Sequence, residues 1–286
     1  MREMNSLSEY LIVSSVDGTL LEAGYGIPRE NIDAVERFLE RGGRFTLCTG
    51  RSSESVSKFL EWIPINEPAI LCNGSYIYDF QNRKAIFSHP LKETINEVVA
   101  EAMDLFPHLG VEITSEPTVF VVRMNNQMQN LMTLQHLPYI LCPLEDVSGD
   151  WHKIVFTGPS EELGPFEQFV YRKQREGHHF ADFQYIRTDT ESMEIISRGV
   201  HKGTALRYLC ERLAVPKAKI IAIGNSFNDM EMFSASGIRI CVGDAPAELR
   251  FKMDLTVSSC LRGGVADVLE RFDDIVGNYE QLTLDI

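Results

Sequence analysis

The first apolar run of the chain, Tyr10 to Val13, is short and β-branched, and it passes at once into Ser14-Ser15-Val16-Asp17-Gly18-Thr19-Leu20. That pattern predicts a buried strand ending in a loop. A helix is expected next: Pro28 suits its first turn, Ile32, Val35, Phe38 and Leu39 recur at helical spacing, and Gly42-Gly43 ends it. Phe45 to Cys48 then reads as a second strand running into Thr49-Gly50-Arg51, and Ala69 to Cys72 as a third running into Asn73-Gly74. Repeated strand, helix, strand units predict a parallel sheet with helices on its faces.

Near residue 80 the rhythm changes. Tyr76 to Tyr78 and Ala85 to Phe87 form a hairpin pattern around Asn82, followed by a helix with Ile95, Val98, Val99, Ala102 and Phe106 on one face. Separate strand patterns follow at Thr118 to Val122, Lys153 to Phe156, Phe183 to Ile186 and Met193 to Ile196, with one helical stretch around Phe166 to Arg175. This mixture predicts an α+β insert with an antiparallel sheet. From His201 the α/β alternation returns with a helix bearing Leu206, Leu209, Cys210 and Leu213. Strands then follow at Ile220 to Ile223, Ile238 to Val242 and Leu255 to Val257. The expected organisation is a discontinuous α/β core of residues 1–84 and 198–286, carrying an α+β cap of residues 85–197.

Composition narrows the partners. Hydrophobic residues make up 44% and charged residues 24% of 286, enough for a substantial core. A formal net charge of -14, with no Lys/Arg-rich run, argues against a nucleic-acid partner and against an anionic membrane. No apolar run approaches the roughly 20 residues that span a bilayer, and the N-terminus lacks signal-peptide regions, so a cytoplasmic location is expected. Six cysteines without a C-x-x-C pair or zinc-like spacing read as free thiols in a reducing compartment. The sequence is silent on oligomeric state.

In open parallel sheets, ligands bind beyond the carboxyl ends of the strands. Polar residues fall there in four places: Ser15/Asp17, Thr49/Gly50, Asn73/Gly74 and Asn225/Asn228/Asp229, with Lys202 opening the helix that re-enters the core. Singly, each has an ordinary explanation as a turn, a helix cap or a solvated charge. Together, hydroxyls, amides, one lysine and a few acids suit an oxyanion such as phosphate.

The run Leu11 to Leu20, Thr49-Gly50-Arg51, Asn73-Gly74, Glu194 to Leu206 with Lys202-Gly203, and Gly224 to Phe233 resemble the successive motifs of the haloacid dehalogenase-like (HAD) superfamily. The insert resembles the α+β cap of its Cof-like sugar-phosphate phosphatases, a cap that covers the pocket and supplies specificity. The resemblance implies a Rossmann-like core and a magnesium-assisted phosphate-ester hydrolysis. In that chemistry one Asp attacks phosphorus and a second, two residues on, serves as acid/base. By position Asp17 matches the acid/base, while Ser15 stands at the nucleophile position. Asn225 stands where a magnesium-binding Asp is usual, and Asn228 and Asp229 match the later polar pair. Thr49 and Lys202 match the remaining catalytic positions, with Gly18, Gly50, Arg51, Asn73, Gly74 and Asn228 around the substrate.

Replacing two carboxylates by a hydroxyl and an amide leaves Asn225, Asp229 and the Asp17 carbonyl as a poor magnesium site. Losing about two negative charges also lessens the need for a cation before an anion can dock. The expected function is therefore binding of a phosphorylated small molecule, or another anion, with impaired turnover. Two other readings stay open: an active hydrolase with an unusual metal arrangement through Asp229 and Asp244, and a partner protein with a vestigial pocket. Arg123, His152, Lys153 and Glu194 are polar candidates in the cap, and His178-His179 reads as a solvated loop.

Overall fold

The computed structural model describes residues 7–135, 137–177, 179–188 and 190–284. In chain order the first elements are β1 (Leu11–Ser14), α1 (Arg29–Glu40), β2 (Arg44–Leu47), α2 (Ser53–Ser57), β3 (Ala69–Leu71), β4 (Tyr76–Asp79), β5 (Lys84–Ser88) and α3 (Ile95–Leu105). They continue as β6 (Gly110–Ser115), β7 (Thr118–Arg123), α4 (Asn126–Gln135), β8 (Ile140–Leu141), β9 (Lys153–Thr157), α5 (Ser160–Arg175), β10 (Phe183–Arg187) and β11 (Ser192–Ser197). The last are α6 (Lys202–Arg212), β12 (Ile220–Gly224), α7 (Met230–Ala235), β13 (Ile238–Cys241), α8 (Ala247–Arg250), β14 (Leu255–Thr256), α9 (Gly264–Glu270) and α10 (Phe272–Leu284).

The chain divides into two compact units, one of Met1–Thr49, Phe59–Ile86 and Lys202–Ile286, the other of Gly50–Lys58 and Phe87–His201. In the first, five strands in the order β14-β13-β12-β1-β2 form an all-parallel sheet. Leu11, Ile12, Val13, Ile221, Ala222 and Ile223 have no solvent exposure, as expected for central parallel strands covered on both faces. Each Leu, Ile or Val side chain among them contributes about 1.5–3 kcal/mol by leaving water.

The expected third parallel strand differs from its reading. β3 pairs antiparallel with β4 and belongs to a three-stranded sheet, β3-β4-β5. Its tie to the five-stranded sheet is a single parallel bridge, Cys48 to Ile70. The cause is local: Cys72 and Asn73 adopt φ of 48° and 54°, and Gly74 106°. The chain turns back after three residues and gives β3 an antiparallel neighbour before a longer parallel ladder can form.

The second unit is built on six strands in the order β10-β11-β9-β6-β7-β8. All neighbours are antiparallel except β7 and β8, which run parallel, so the expected antiparallel sheet is mixed. Val111, Ile113, Ile154, Phe156, Met193 and Ile195 share a core with Val98, Val99 and Ala102 of α3 and Phe166 and Phe169 of α5. On the opposite face Val119 and Val121 pack against Met128 and Met132 of α4. Strand alternation puts Glu112, Thr114, Lys153 and Glu194 on that second face. There the Thr114 hydroxyl donates to Glu112 at 2.6 Å, and Lys153 lies 3.9 Å from Glu194. No described helix is long and apolar enough to cross a membrane. The cysteines are free, five of them buried.

Candidate functional site

Parallel pairing aligns the carboxyl ends of β2, β1 and β12, and the polar loops leave from that edge. The ladder overruns the strands by one residue on each side. Ser15 N donates to the Ile223 carbonyl (2.8 Å), Cys48 N to Ser14 (2.9 Å), Thr49 N to Ile70 (2.9 Å) and Asn73 N to Thr49 (3.0 Å). These bonds carry Ser15, Thr49 and Asn73 onto one edge with little freedom, and all three are buried.

Lys202 is the first residue of α6 and is buried. Its ammonium donates to Asp229 Oδ1 at 2.7 Å and to Ser15 Oγ at 3.3 Å. The other oxygen of Asp229 accepts from the backbone amides of Asn225 (3.0 Å) and Ser226 (3.1 Å). Asp229 is fully buried. Ser226 and Asp229 form a reciprocal capping box that opens the turn leading into α7. Burial pulls the Lys202 ammonium toward deprotonation, but the adjoining Asp229 charge outweighs it and holds the proton on more firmly than usual.

That protonation decides what Ser15 can do. A serine is activated by a neighbouring base, and Lys202 lies close enough to be one. A lysine held as ammonium by Asp229 has no lone pair to accept the proton. It can only donate a hydrogen bond to Ser15 Oγ or to a ligand.

Asn225 faces the loop after β1. Its Oδ1 accepts from the Thr19 hydroxyl at 3.0 Å. Its Nδ2 would lie 2.2 Å from any Cβ placed on Gly18, whose φ is +70°, so two separate constraints call for glycine there. Asp17, by contrast, is exposed. The Gly18 amide is committed to Leu21 (2.8 Å) and the Thr19 amide to Val16 (3.2 Å). Of the loop amides, Val16 N–H makes no hydrogen bond among the described residues. Asn228 Nδ2 donates to Asn73 Oδ1 at 3.3 Å, joining two of the sequence-selected positions, and Gly74 follows in the same turn.

Other selected residues sit elsewhere. Gly50 and Arg51 belong to the second unit, where Lys153 Nζ donates to the Gly50 carbonyl (2.8 Å) and Arg51 to Ser55 Oγ (3.2 Å). Arg123 donates to the carbonyls of Met103 (3.0 Å) and Phe106 (3.2 Å), which closes the end of α3. His152 is buried, accepts at Nδ1 from Glu116 N (3.4 Å) and meets Ser88 Oγ at Nε2 (2.9 Å). Burial pushes its pKa down against the opposing pull of Asp150. His179 is exposed beside Glu97 at 3.4 Å, and His178 lies outside the described residues. Asp244 turns both oxygens to Cys260 N, at 3.1 and 3.3 Å.

Two contributors escaped sequence reading. Thr19 fixes the Asn225 amide, and nothing in the Asp-Gly-Thr run signals that. Ser226 caps onto Asp229, and here a signal existed, because Ser-x-x-Asp at a helix start is capping-box spacing.

Residues 12–269 match the haloacid dehalogenase-like hydrolase family. The chain belongs to that family. It is 22% identical over 276 residues to pyridoxal phosphate phosphatase YbhA of Escherichia coli K12, covering 91% of this chain and 97% of that protein. Among solved structures, a haloacid dehalogenase-like hydrolase from Bacteroides thetaiotaomicron superposes with a TM-score of 0.82 at 21% identity, covering 92% and 99% of the two chains. The HAD subclass IIB sugar phosphatase BT4131 superposes with a TM-score of 0.77 at 16% identity, covering 92% and 98%. The fold is accordingly a parallel α/β HAD core with an inserted cap built on its own mixed sheet. Magnesium is the metal such enzymes use, and hard oxygen ligands, mainly carboxylates and water, are what it needs.

Proposed function

We propose that this HAD-family protein binds a phosphorylated small molecule, or a similar anion, in the first unit and does not turn it over at an enzymatic rate. The observation that carries the reading is the commitment of Asp229. Its two oxygens serve Lys202 and two backbone amides, while the positions matching the family's nucleophile and first metal ligand are Ser15 and Asn225. Magnesium would have to compete with an ammonium for Asp229, the buried carboxylate of this cluster, while the other, Asp17, is exposed. Asp244 offers no substitute, since both its oxygens face Cys260 N. Among the described residues no group of three or more His, Cys, Asp or Glu side chains could hold a metal ion. This donor set does not suit magnesium.

What remains suits an anion held by hydrogen bonds. Lys202 has three N–H donors, of which two point at Asp229 and Ser15. The Ser15 hydroxyl, the Asn225 amide and the Val16 N–H add neutral donors around the same strand end. Because the charge of Lys202 is already matched by Asp229, affinity rests on donor geometry more than on net charge. Thr49, Asp17, Asn73, Gly74 and Asn228 complete the proposed pocket wall.

Calorimetric titration with inorganic phosphate, once in EDTA and once in excess magnesium, tests this. Equal affinity in both is the expected result. Binding that appears only with magnesium would show that the ion is part of the site.

A further inference from the structure

On the second unit, away from the residues just described, the end of α3 and one face of α5 enclose a groove of about 1050 Å³. Leu105, Phe106 and Tyr171 give it apolar and aromatic surface, and Arg172, Arg175 and Arg198 line it with positive charge. We propose that this groove is a binding site for a nucleoside triphosphate, with the flat base against the apolar part and the phosphates on the arginines.

Three observations support it. First, a protein of net charge -14 concentrates three arginines in one concavity, against its overall balance. Second, none of the three forms an ion pair among the described residues, whereas Lys173, between two of them in sequence, pairs with Glu101 at 2.6 Å. Arg172 and Arg175 in the last turn of α5 would suit the helix dipole alone. Arg198 comes from the loop after β11, and no dipole of α5 accounts for its convergence on the same groove. Third, the chemistry is matched: Leu105 is 56% and Tyr171 47% exposed, large apolar side chains that a base would cover. The Arg172 guanidinium lies 5.7 Å from the Phe169 ring centroid, within cation–π range, and a guanidinium fork suits bidentate phosphate contact. The volume is close to the roughly 300–1,000 Å³ of small-molecule sites.

The test is equilibrium titration of the full chain with ATP and with inorganic triphosphate, both without magnesium. It is repeated on Arg175→Glu/Arg198→Glu and on the milder Arg175→Gln/Arg198→Gln, with circular dichroism to verify folding. The expected result is saturable ATP binding, tighter than triphosphate, weakened about tenfold or more in both variants. Titration with orthophosphate at the strand-end pocket should be unchanged in them, which separates this site from that one. Absent ATP binding, equal binding of triphosphate, or ATP binding that survives both variants would overturn the proposal.

Discussion

Within a single strand-end cluster, the Lys202–Asp229 side and the Ser15–Asn225 side have been treated differently. The first keeps a buried ion pair in which both oxygens of the carboxylate are engaged, Oδ1 by an ammonium and Oδ2 by two amides. On the second, Ser15 and Asn225 are neutral, and Asn225 meets the loop after β1 at Thr19 and Gly18. The charged half is what orders the fold locally, because it opens the turn into α7 and seats the start of α6. The neutral half is what the chemistry of the family would act through. On the proposed function, the fold rests on the first half and the reaction on the second, different members of one cluster.

The largest effect is expected at Lys202. Lys202→Met strands Asp229 without a counter-charge in a site it cannot leave, and unfolding in urea should show a loss of about 3–5 kcal/mol. Sign matters here. Burial alone would lower the Lys202 pKa, but the Asp229 charge raises it overall. The stability of the pair is therefore present below the ordinary lysine value of 10.5 and is lost only as pH rises through the raised folded value. Denaturation midpoints should be insensitive to this pair from pH 6 to 9 and fall at strongly alkaline pH. A pair already failing near neutrality would contradict the assignment.

Charging the neutral half is the converse. Ser15→Asp with Asn225→Asp places two carboxylates beside Asp229 and, on the proposed function, should create magnesium binding. It should also raise magnesium-dependent phosphate release at least about tenfold, or 1.4 kcal/mol of barrier. Either substitution alone should give less, and unchanged activity in the double variant would contradict the proposed role of these two positions.

A smaller effect tests the packing that seats α6. A Cβ on Gly203 would come within 2.1 Å of the Glu231 carbonyl oxygen at the start of α7, so Gly203→Ala should cost about 1–3 kcal/mol by thermal melting. Smallest is a pH effect in the second unit. Burial depresses the His152 pKa, so the stability gained from keeping it neutral is present above pH 6.5 and shrinks as pH falls through the depressed folded value. His152→Gln should flatten the part of the stability decline that lies below pH 6.5. An unaltered slope would remove His152 as the source.

Much of this was written in the sequence, for reasons that also explain the rest. Central strands β1 and β12 read clearly because burial on both faces makes them uninterrupted apolar runs. β6 did not: Gly110–Ser115 buries the polar Glu112 and Thr114 on the face it shares with Val119 and Val121, and alternation with only Val111 and Ile113 left a faint signal. α4, Asn126–Gln135, hides for a similar reason, since it buries only Met128 and Met132 among glutamines and asparagines. In the site, residue types and positions were legible, but their commitments were not. Asp229 looked like a spare metal ligand, although Ser226 three residues earlier fits a cap. Gly18 was expected around the substrate, although a tight turn sends its amide to Leu21. Sequence shows which groups exist at a strand end; it takes the fold to show which of them are already in use.

The most direct measurement is steady-state phosphate release by the unaltered protein from a panel of sugar phosphates and an aryl phosphate in excess magnesium. With Asp229 engaged by Lys202 and no carboxylate at positions 15 and 225, turnover should stay far below about 1 per second, with magnesium making no difference. Magnesium-dependent release at or above that rate would contradict the account.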